Sequence, residues 1–198
     1  MGAFTTMFST PPLMVEKYSG DVKTIQEYAE NISYHNSTTN YSSDNTFVLN
    51  DDALADLKIF IEKSIREYTL NVFNTDHKFV ITQSWITKNS FGQSQDIHSH
   101  PGSIISGVFY VNLPKDSGCI EFNRGKSVFE MQINKNCSNS WMSDRYTVFS
   151  ETGTLLLFPS NLLHSVKMNN VDQTRYSLAF NSFPMLPVGD IDFLTYLY

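Results

Sequence analysis

The chain contains few cysteines: only Cys119 and Cys137 occur among its 198 residues. Two thiols are too few for a disulfide framework, and their spacing is not one that binds metals. This cysteine usage is typical of proteins kept in a reducing compartment. We therefore expect a cytoplasmic protein.

Long apolar runs and an excess of positive charge are also missing. No stretch reaches the roughly 18 consecutive apolar residues of a transmembrane helix, and no export signal opens the chain. The net charge is -6 and only 17% of the residues are charged, so no basic stripe can follow a nucleic-acid backbone. We therefore expect neither a membrane nor a nucleic acid as a partner.

The length suits a single domain over residues 1–198, because one core of this size can be buried by one chain. Apolar residues recur at helical spacing over 21–32 and 54–72, after the N-cap candidates Asp21 and Asn50-Asp51. The Ser-, Thr- and Asn-rich stretch 34–50 predicts a polar loop between these helices. Residues 1–76 are thus predicted to form an N-terminal helical support.

After residue 77 the sequence changes to short apolar or alternating runs rich in Val, Ile, Phe and Tyr, which predict strands. These runs span 78–87, 104–113, 118–123, 127–133, 153–159, 163–168 and 174–183. We predict a β-core over 77–184, a C-terminal extension over 185–198 and an irregular loop over 134–145. The loop contains Trp141 and either closes over a substrate or is a surface excursion. The predicted fold class is mainly β with supporting α-helices, as an antiparallel sandwich or jelly roll.

The segment Asp96-Ile-His-Ser-His100-Pro-Gly carries the strongest chemical signal. Side chains two residues apart on an extended backbone point the same way, so the imidazoles of His98 and His100 can reach one metal ion. The following Pro-Gly ends the strand and presents both rings at an edge. Taken alone, the pair is also compatible with two solvated surface histidines.

A third histidine, His164, ends the otherwise apolar run that starts at Gly153. In isolation, such a residue is ordinarily a buried histidine whose ring is bonded to a backbone carbonyl. Together with His98 and His100 it completes a set of three imidazoles. Imidazoles with an anion-binding residue downstream favour a non-haem iron site with open coordination positions.

The downstream anion binder is Arg175, in a strand whose alternation places Arg175 and Ser177 on one face. An arginine on an interior face needs a carboxylate partner, because an unpaired buried charge is costly. A bound dicarboxylate meets this need, and so does a nearby aspartate such as Asp172 or Asp190.

The order of these blocks resembles the iron- and 2-oxoglutarate-dependent oxygenases, most closely the bacterial and phage branch related to prolyl hydroxylases. The resemblance covers roughly residues 80–183. Its blocks are His98-Ser-His100-Pro-Gly-Ser-Ile-Ile-Ser-Gly-Val-Phe-Tyr-Val, Gly153-Thr-Leu-Leu-Leu-Phe-Pro-Ser, His164 and Arg175-Tyr-Ser-Leu-Ala-Phe-Asn.

The resemblance implies a double-stranded β-helix, the cupin-like jelly roll, with Fe(II) at one mouth, 2-oxoglutarate as co-substrate and O2 as oxidant. His98 and His164 would bind iron, Arg175 and Ser177 would hold the far carboxylate of 2-oxoglutarate, and Tyr110 would hydrogen-bond the same group. The implied reaction is hydroxylation of a C–H bond by a dioxygenase. A phage-encoded chain would act in the host cytoplasm.

One position departs from the family pattern. Most members carry His-x-Asp or His-x-Glu in the first motif, whereas the second position here is His100. A third neutral imidazole leaves the full metal charge to be offset by the carboxylate of the co-substrate. We favour His98, His100 and His164 as the ligands, with Asp96 or Glu121 as alternatives to His100.

Two other functions compete with this interpretation. One is a three-histidine, cupin-like dioxygenase or isomerase without 2-oxoglutarate, which would have no evident need for the Arg175 and Ser177 pair. The other is a non-enzymatic jelly-roll binding protein with incidental histidines. A peptide, an amino acid, a nucleobase or another small molecule all remain open as substrates, and the oligomeric state is open as well.

Overall fold

The computed structural model describes residues 11–125, 143–189, 192 and 195. These residues form two α-helices, α1 (Val22–Asn31) and α2 (Ala55–Phe73), and eleven β-strands. The strands are β1 (Met14–Lys17), β2 (Tyr34–Asn36), β3 (Tyr41–Ser43), β4 (Phe79–Asn89), β5 (Gln95–His98), β6 (Ile105–Asn112), β7 (Ile120–Asn123), β8 (Arg145–Val148), β9 (Thr154–Pro159), β10 (Leu163–Val166) and β11 (Arg175–Pro184).

The strands build two sheets in which every neighbouring pair is antiparallel. The larger sheet has the order β1-β9-β6-β11-β4-β3-β2, and the smaller has the order β5-β10-β7-β8. Because side chains alternate along each strand, the larger sheet presents one face to the helices and the other to the smaller sheet. The mainly β class with supporting helices is confirmed.

The two helices cover the outer face of the larger sheet. The side chain of Asp21 caps α1 by accepting a hydrogen bond from the backbone N–H of Lys23 at 2.9 Å. The apolar stripe of α2 is buried together with residues of β6, β9 and β11 in one core. Its central members are Ile25, Leu57, Ile61, Ile65, Tyr68, Phe109, Leu155, Leu157, Leu178 and Phe180.

A second, smaller core lies between the sheets. Tyr110, Leu156 and Phe158 of the larger sheet pack there against residues of the smaller sheet. The partners on the smaller sheet are Ile120, Phe122 and Val148. This core fills only part of the space between the sheets, and the remainder is a cavity.

Both helices lie where the sequence predicts them, but the predicted loop over 34–50 is wrong. The structure places the hairpin of β2 and β3 there, and β3 pairs with β4 at the edge of the larger sheet. The residues of this hairpin are polar and show no alternation of apolar and polar side chains. The pairing therefore depends on a tertiary contact with β4, which the local sequence pattern does not show.

Two further strands were not predicted. The strand β1 pairs with β9, and β8 begins at the last residue of the predicted 134–145 loop. The predicted strand 127–133 and Trp141 lie outside the described residues. The single domain over 1–198 stays a prediction. None of the helices in the described ranges has the length and hydropathy needed to cross a bilayer.

Replacing a buried residue of α2 tests how much the packing of helix on sheet contributes to stability. Ile61 is fully buried, whereas Ile59 on the same helix is 64% exposed. We expect Ile61→Ala to lower the free energy of unfolding by about 2–5 kcal/mol, because it leaves a cavity. The matched control Ile59→Ala should change it by less than about 0.5 kcal/mol. Urea denaturation measures the change in both variants. Equal losses of stability would show that the Ile61 side of α2 does not contribute more to the core than the exposed side.

Candidate metal centre

The three histidines predicted from the sequence meet at one place between the sheets. Each offers a ring nitrogen, and these atoms all lie within 4.8 Å of one another. His98 lies directly opposite His164 in the pairing of β5 with β10. His100 follows β5 in a turn, where its backbone N–H donates to the carbonyl of Ser160 at 2.8 Å. The antiparallel pair and the turn therefore bring distant parts of the chain together.

Backbone carbonyls set the tautomers of two of these rings. Nδ1 of His98 lies 2.8 Å from the carbonyl oxygen of Asp96, and Nδ1 of His164 lies 2.9 Å from that of Leu162. A carbonyl oxygen only accepts hydrogen bonds, so each Nδ1 carries the proton and each Nε2 keeps its lone pair. Protein metal sites commonly orient their histidine ligands in this way.

The spacing of the free nitrogens fits a metal ion. Nε2 of His100 lies 3.3 Å from Nε2 of His164. Two imidazole nitrogens about 2.1 Å from one ion, at a right angle to each other, would be about 3.0 Å apart. The rings thus need only a small adjustment to share a cation.

Burial keeps two of the imidazoles neutral. It lowers the pKa of His100 to about 3, with the nearby His164 and His98 rings adding to the effect. Burial also lowers the pKa of His164 to about 4, although the hydrogen bond to Leu162 partly opposes it. Metal binding requires the neutral form, so both rings are ready to act as ligands at pH 7.

The two carboxylate alternatives do not join this cluster in the described part of the chain. Asp96 is exposed, and its backbone carbonyl, rather than its carboxylate, contacts His98. The carboxylate of Glu121 lies 3.0 Å from Nζ of Lys167 and 3.3 Å from Nη1 of Arg145. Glu121 is therefore held in ion pairs of its own.

A cavity of about 290 Å³ connects the histidines with the predicted anion binder. It is lined by residues of both sheets. The predicted site residues that line it are His98, His100, Tyr110, His164, Arg175 and Ser177. The structure therefore brings together all six candidates.

Arg175 is a buried cation without a carboxylate partner among the described residues. Its Nη1 donates to the carbonyls of Ser117 and Lys167, and its Nε has no hydrogen-bond partner. Burial lowers the pKa of Arg175 to about 10, so it still carries its charge at pH 7. Asp172 is exposed and forms no ion pair with it, and Asp190 lies outside the described residues. The guanidinium thus fits a dicarboxylate ligand.

Tyr110 and Ser177 lie beside this guanidinium. They oppose each other in the pairing of β6 with β11, and both line the cavity. Burial raises the pKa of Tyr110, so its phenol stays protonated and can donate a hydrogen bond. The wall around Arg175 therefore offers a cation and two hydroxyl groups.

The loop before β7 supports Arg175, and the sequence did not reveal that role. In the sequence, Gly118 is only the first residue of the predicted strand 118–123. It adopts a φ of +90°, and a Cβ there would overlap the carbonyl oxygen of Lys167 and lie 2.8 Å from Nη1 of Arg175. Both the backbone conformation and the close approach require glycine.

The comparisons with known proteins agree with this geometry. Residues 83–181 match the family described as "Putative 2OG-Fe(II) oxygenase", and these 99 residues are half of the 198-residue chain. The chain belongs to this oxygenase family. The resemblance seen in the sequence is thereby confirmed, and the family uses Fe(II), 2-oxoglutarate and O2. No curated protein sequence matches the chain significantly.

Solved structures of low sequence identity share the fold. HygX from Streptomyces hygroscopicus, with nickel, 2-oxoglutarate and hygromycin B bound, is 13% identical with a TM-score of 0.65, covering 88% of this chain and 84% of that one. The epimerase SnoN, in complex with Fe3+, alpha ketoglutarate and nogalamycin RO, is 13% identical with a TM-score of 0.64 (88% and 79% covered). A Pseudomonas putida prolyl-4-hydroxylase is 15% identical with a TM-score of 0.55 (87% and 93% covered). The jelly-roll prediction is confirmed.

The lowered histidine pKa values predict how the stability of the metal-free oxygenase depends on pH. Below about pH 6.5 the unfolded chain binds protons at His100 and His164 that the folded chain does not bind until about pH 4 or lower. We therefore expect the free energy of unfolding to fall as the pH drops through this window. Urea denaturation from pH 7 to 4.5 should show that the free energy of unfolding falls less steeply in the double variant His100→Gln/His164→Gln than in the wild type. An unchanged slope would contradict the prediction.

The substitution Gly118→Ala tests the support of Arg175. The new methyl group has to displace the Lys167 carbonyl or the guanidinium, and the positive φ adds strain. We expect the affinity of the metal-loaded oxygenase for 2-oxoglutarate to fall about tenfold, corresponding to roughly 1.4 kcal/mol. Isothermal titration calorimetry measures it. The control Gly92→Ala also replaces a glycine of positive φ, but there the Cβ meets nothing within 4 Å; an equal loss in both would refute the role of Gly118.

Proposed function

We propose that this protein is a non-haem Fe(II)- and 2-oxoglutarate-dependent dioxygenase that hydroxylates a C–H bond of a peptide, amino-acid or small-molecule substrate. One observation carries the proposal. Three imidazoles whose ring nitrogens lie within 4.8 Å of one another line the same cavity as a buried arginine that has no carboxylate partner among the described residues.

His98, His100 and His164 hold the iron in this proposal. One ring nitrogen of each lies within 4.8 Å of those of the other two, so these three residues would hold the ion and would leave room for the co-substrate and O2 to bind it. Iron bound there supplies, together with 2-oxoglutarate, the activation of O2 for oxidation. Phe122 and Phe158 pack around His164, with ring centroids 5.9 Å and 4.9 Å away, and keep water from that side of the site.

Arg175 binds the carboxylate of 2-oxoglutarate that is farther from the metal. A charge-assisted hydrogen bond to this carboxylate offsets the buried positive charge and gives the orphaned Nε a partner. Tyr110 and Ser177 donate hydrogen bonds to the same carboxylate. The co-substrate would thus span the cavity from the guanidinium to the histidines.

The choice of hydroxylation is part of the proposal, because the similar folds include a prolyl-4-hydroxylase and an epimerase. The single domain, the cytoplasmic location and the lack of nucleic-acid or membrane partners stay predictions. The buried arginine weighs against a cupin-like enzyme that does not use 2-oxoglutarate.

Anaerobic titration of the iron-loaded protein with 2-oxoglutarate tests the proposal. We expect the charge-transfer absorption of a chelated keto acid to appear at stoichiometric amounts. The variant Arg175→Gln should keep its iron but bind 2-oxoglutarate about 10- to 100-fold more weakly, since a hydrogen bond to a charged group contributes roughly 1.5–3 kcal/mol. The control Arg145→Gln removes an exposed arginine and should titrate like the wild type.

Metal analysis of a second set of variants tests the ligands. His98→Ala, His100→Ala and His164→Ala should lose stoichiometric iron, whereas Asp96→Asn and Glu121→Gln should retain it. If His100→Ala retains iron while one of the carboxylate variants loses it, that carboxylate is the third ligand in place of His100. Iron binding without the absorption band would favour the cupin-like alternative, and a wild type without iron affinity would favour a binding protein.

A further inference from the structure

His100 lies where no strand fixes its position. The strand β5 ends at His98, which the pairing with β10 holds opposite His164. His100 follows two residues later, and the chain turns at residues 101–102 directly after it. Side chains on a turn are less constrained than those on paired strands. Nε2 of His100 nevertheless lies 3.3 Å from Nε2 of His164, so another contact has to hold this turn in place.

Ser160 supplies this contact through both of its backbone polar groups and its hydroxyl. Its carbonyl accepts a hydrogen bond from the N–H of His100 at 2.8 Å, and its own N–H donates to the carbonyl of Ile104 at 3.0 Å. Its hydroxyl donates to Oγ of Ser103 at 2.9 Å. Ser160 is therefore hydrogen-bonded to both ends of the turn that follows β5.

The number of hydroxyl protons makes Ser160 a donor to two neighbouring serines. Each hydroxyl has one proton. Ser103 donates its proton to the backbone carbonyl of Ser182 at 2.9 Å, and Ser106 donates its proton to Oδ1 of Asn181 at 2.8 Å. Oγ of Ser160 lies 2.9 Å from Oγ of Ser103 and 2.8 Å from Oγ of Ser106. The proton of Ser160 is therefore shared between these two acceptors.

Burial makes these hydrogen bonds important for the position of the turn. Ser160 is only 1% exposed and Ser106 is fully buried, so water does not readily replace a lost partner. Ser106 of β6 lies opposite Asn181 of β11, in the middle of the larger sheet. The hydroxyl of Ser160 thus connects the turn of His100 to paired strands.

The segment of Ser160 also leads to the ring of His164. Ser160 follows β9, and in the turn before β10 the N–H of Leu162 donates to the carbonyl of Pro159 at 3.0 Å. The carbonyl oxygen of Leu162 lies 2.9 Å from Nδ1 of His164. One short segment therefore orients the ring of His164 and holds the turn of His100.

We propose that Ser160 is a positioning residue of the metal centre. Its hydroxyl, bonded to Ser103 and Ser106, fixes the turn that carries His100 and thereby the separation of the His100 and His164 nitrogens. The inference rests on the proposed function for the set of three histidine ligands. Ser160 does for His100 what the pairing of β5 with β10 does for His98.

Titration of the metal-free protein with Co(II) tests the positioning role. The visible absorption of bound Co(II) reports its coordination geometry, and isothermal titration calorimetry gives its affinity. We expect Ser160→Ala to bind Co(II) about tenfold more weakly than the wild type, with an altered absorption spectrum, because the His100 ring is no longer held at ligand distance.

The control is Ser43→Ala. Ser43 in β3 is also fully buried, and its hydroxyl donates to the carbonyl of Asn45 and accepts from the N–H of Ile86. This variant therefore loses a comparable set of hydrogen bonds and should bind Co(II) like the wild type. Equal affinities and equal spectra in Ser160→Ala and Ser43→Ala would overturn the proposal.

A double-variant cycle separates positioning from a general loss of stability. In the His100→Ala background the ligand through which Ser160 acts is gone. Adding Ser160→Ala should therefore weaken the residual Co(II) binding by less than about twofold, since the two effects are not additive. A serine that only stabilises the fold would lower the affinity by the same factor in both backgrounds, and that result would refute the role.

Ser103→Ala keeps the test decisive if Ser160→Ala does not fold. Ser103 is half-buried, and its replacement removes the acceptor of the Ser160 hydroxyl and the bond to the Ser182 carbonyl. We expect its Co(II) affinity to fall about threefold, in line with the loss of one or two hydrogen bonds that act indirectly. An affinity equal to that of the wild type would contradict the proposal.

The wild type separates this proposal from the proposed function. A wild type that does not bind Co(II) refutes the three-histidine metal site itself. A wild type that binds Co(II), with serine variants of equal affinity, refutes the role of Ser160 alone.

Discussion

The antiparallel pairing of β5 with β10 is the contact on which the metal centre depends. It sets His98 opposite His164, and the turn after β5 adds His100 through the carbonyl of Ser160. The smaller sheet consists of short strands, so its position relies on the core that Phe122 and Phe158 form with Tyr110 between the sheets. Phe122 and Phe158 also pack around His164, so the packing between the sheets and the position of this ring are coupled.

Electrostatics gives the cavity a preference for an anion. The three imidazoles bring no negative charge to a metal ion, so its charge has to be offset by other ligands. The guanidinium of Arg175 adds a second positive charge that no described carboxylate neutralises. A dicarboxylate in contact with both the metal ion and Arg175 would offset both positive charges.

Much of the site could be predicted because successive side chains of a strand point to opposite faces of the sheet. The sequence therefore shows which residues of a strand share a face. Arg175 and Ser177 share the cavity face of β11, as the alternation predicts, and Leu178 and Phe180 on the opposite face pack with the helices. The spacing of His98 and His100 led to the same cluster, although His100 reaches it from a turn rather than from the strand itself. The order of the motif blocks indicated the family, which the match over residues 83–181 confirms.

The hairpin of β2 and β3 shows why other parts could not be predicted. Its residues are polar and lack alternation, so only pairing with β4 makes them strands. The support of Arg175 by Ser117 and Gly118 likewise depends on a loop that meets β11 in space. Neither the hairpin nor this loop has a hydrophobic periodicity that indicates these contacts.

By itself the sequence determined the periodic elements, the residue types available for chemistry and the face that each strand residue occupies. Only the tertiary structure decided which ring nitrogens lie close together, that Arg175 is buried without a carboxylate partner among the described residues, and that Asn40 hydrogen-bonds Gln95. The physical reason is that hydrophobic periodicity and backbone chirality depend on residues that are close together in the sequence. Partners across a sheet or a cavity are chosen by the packing of the whole fold.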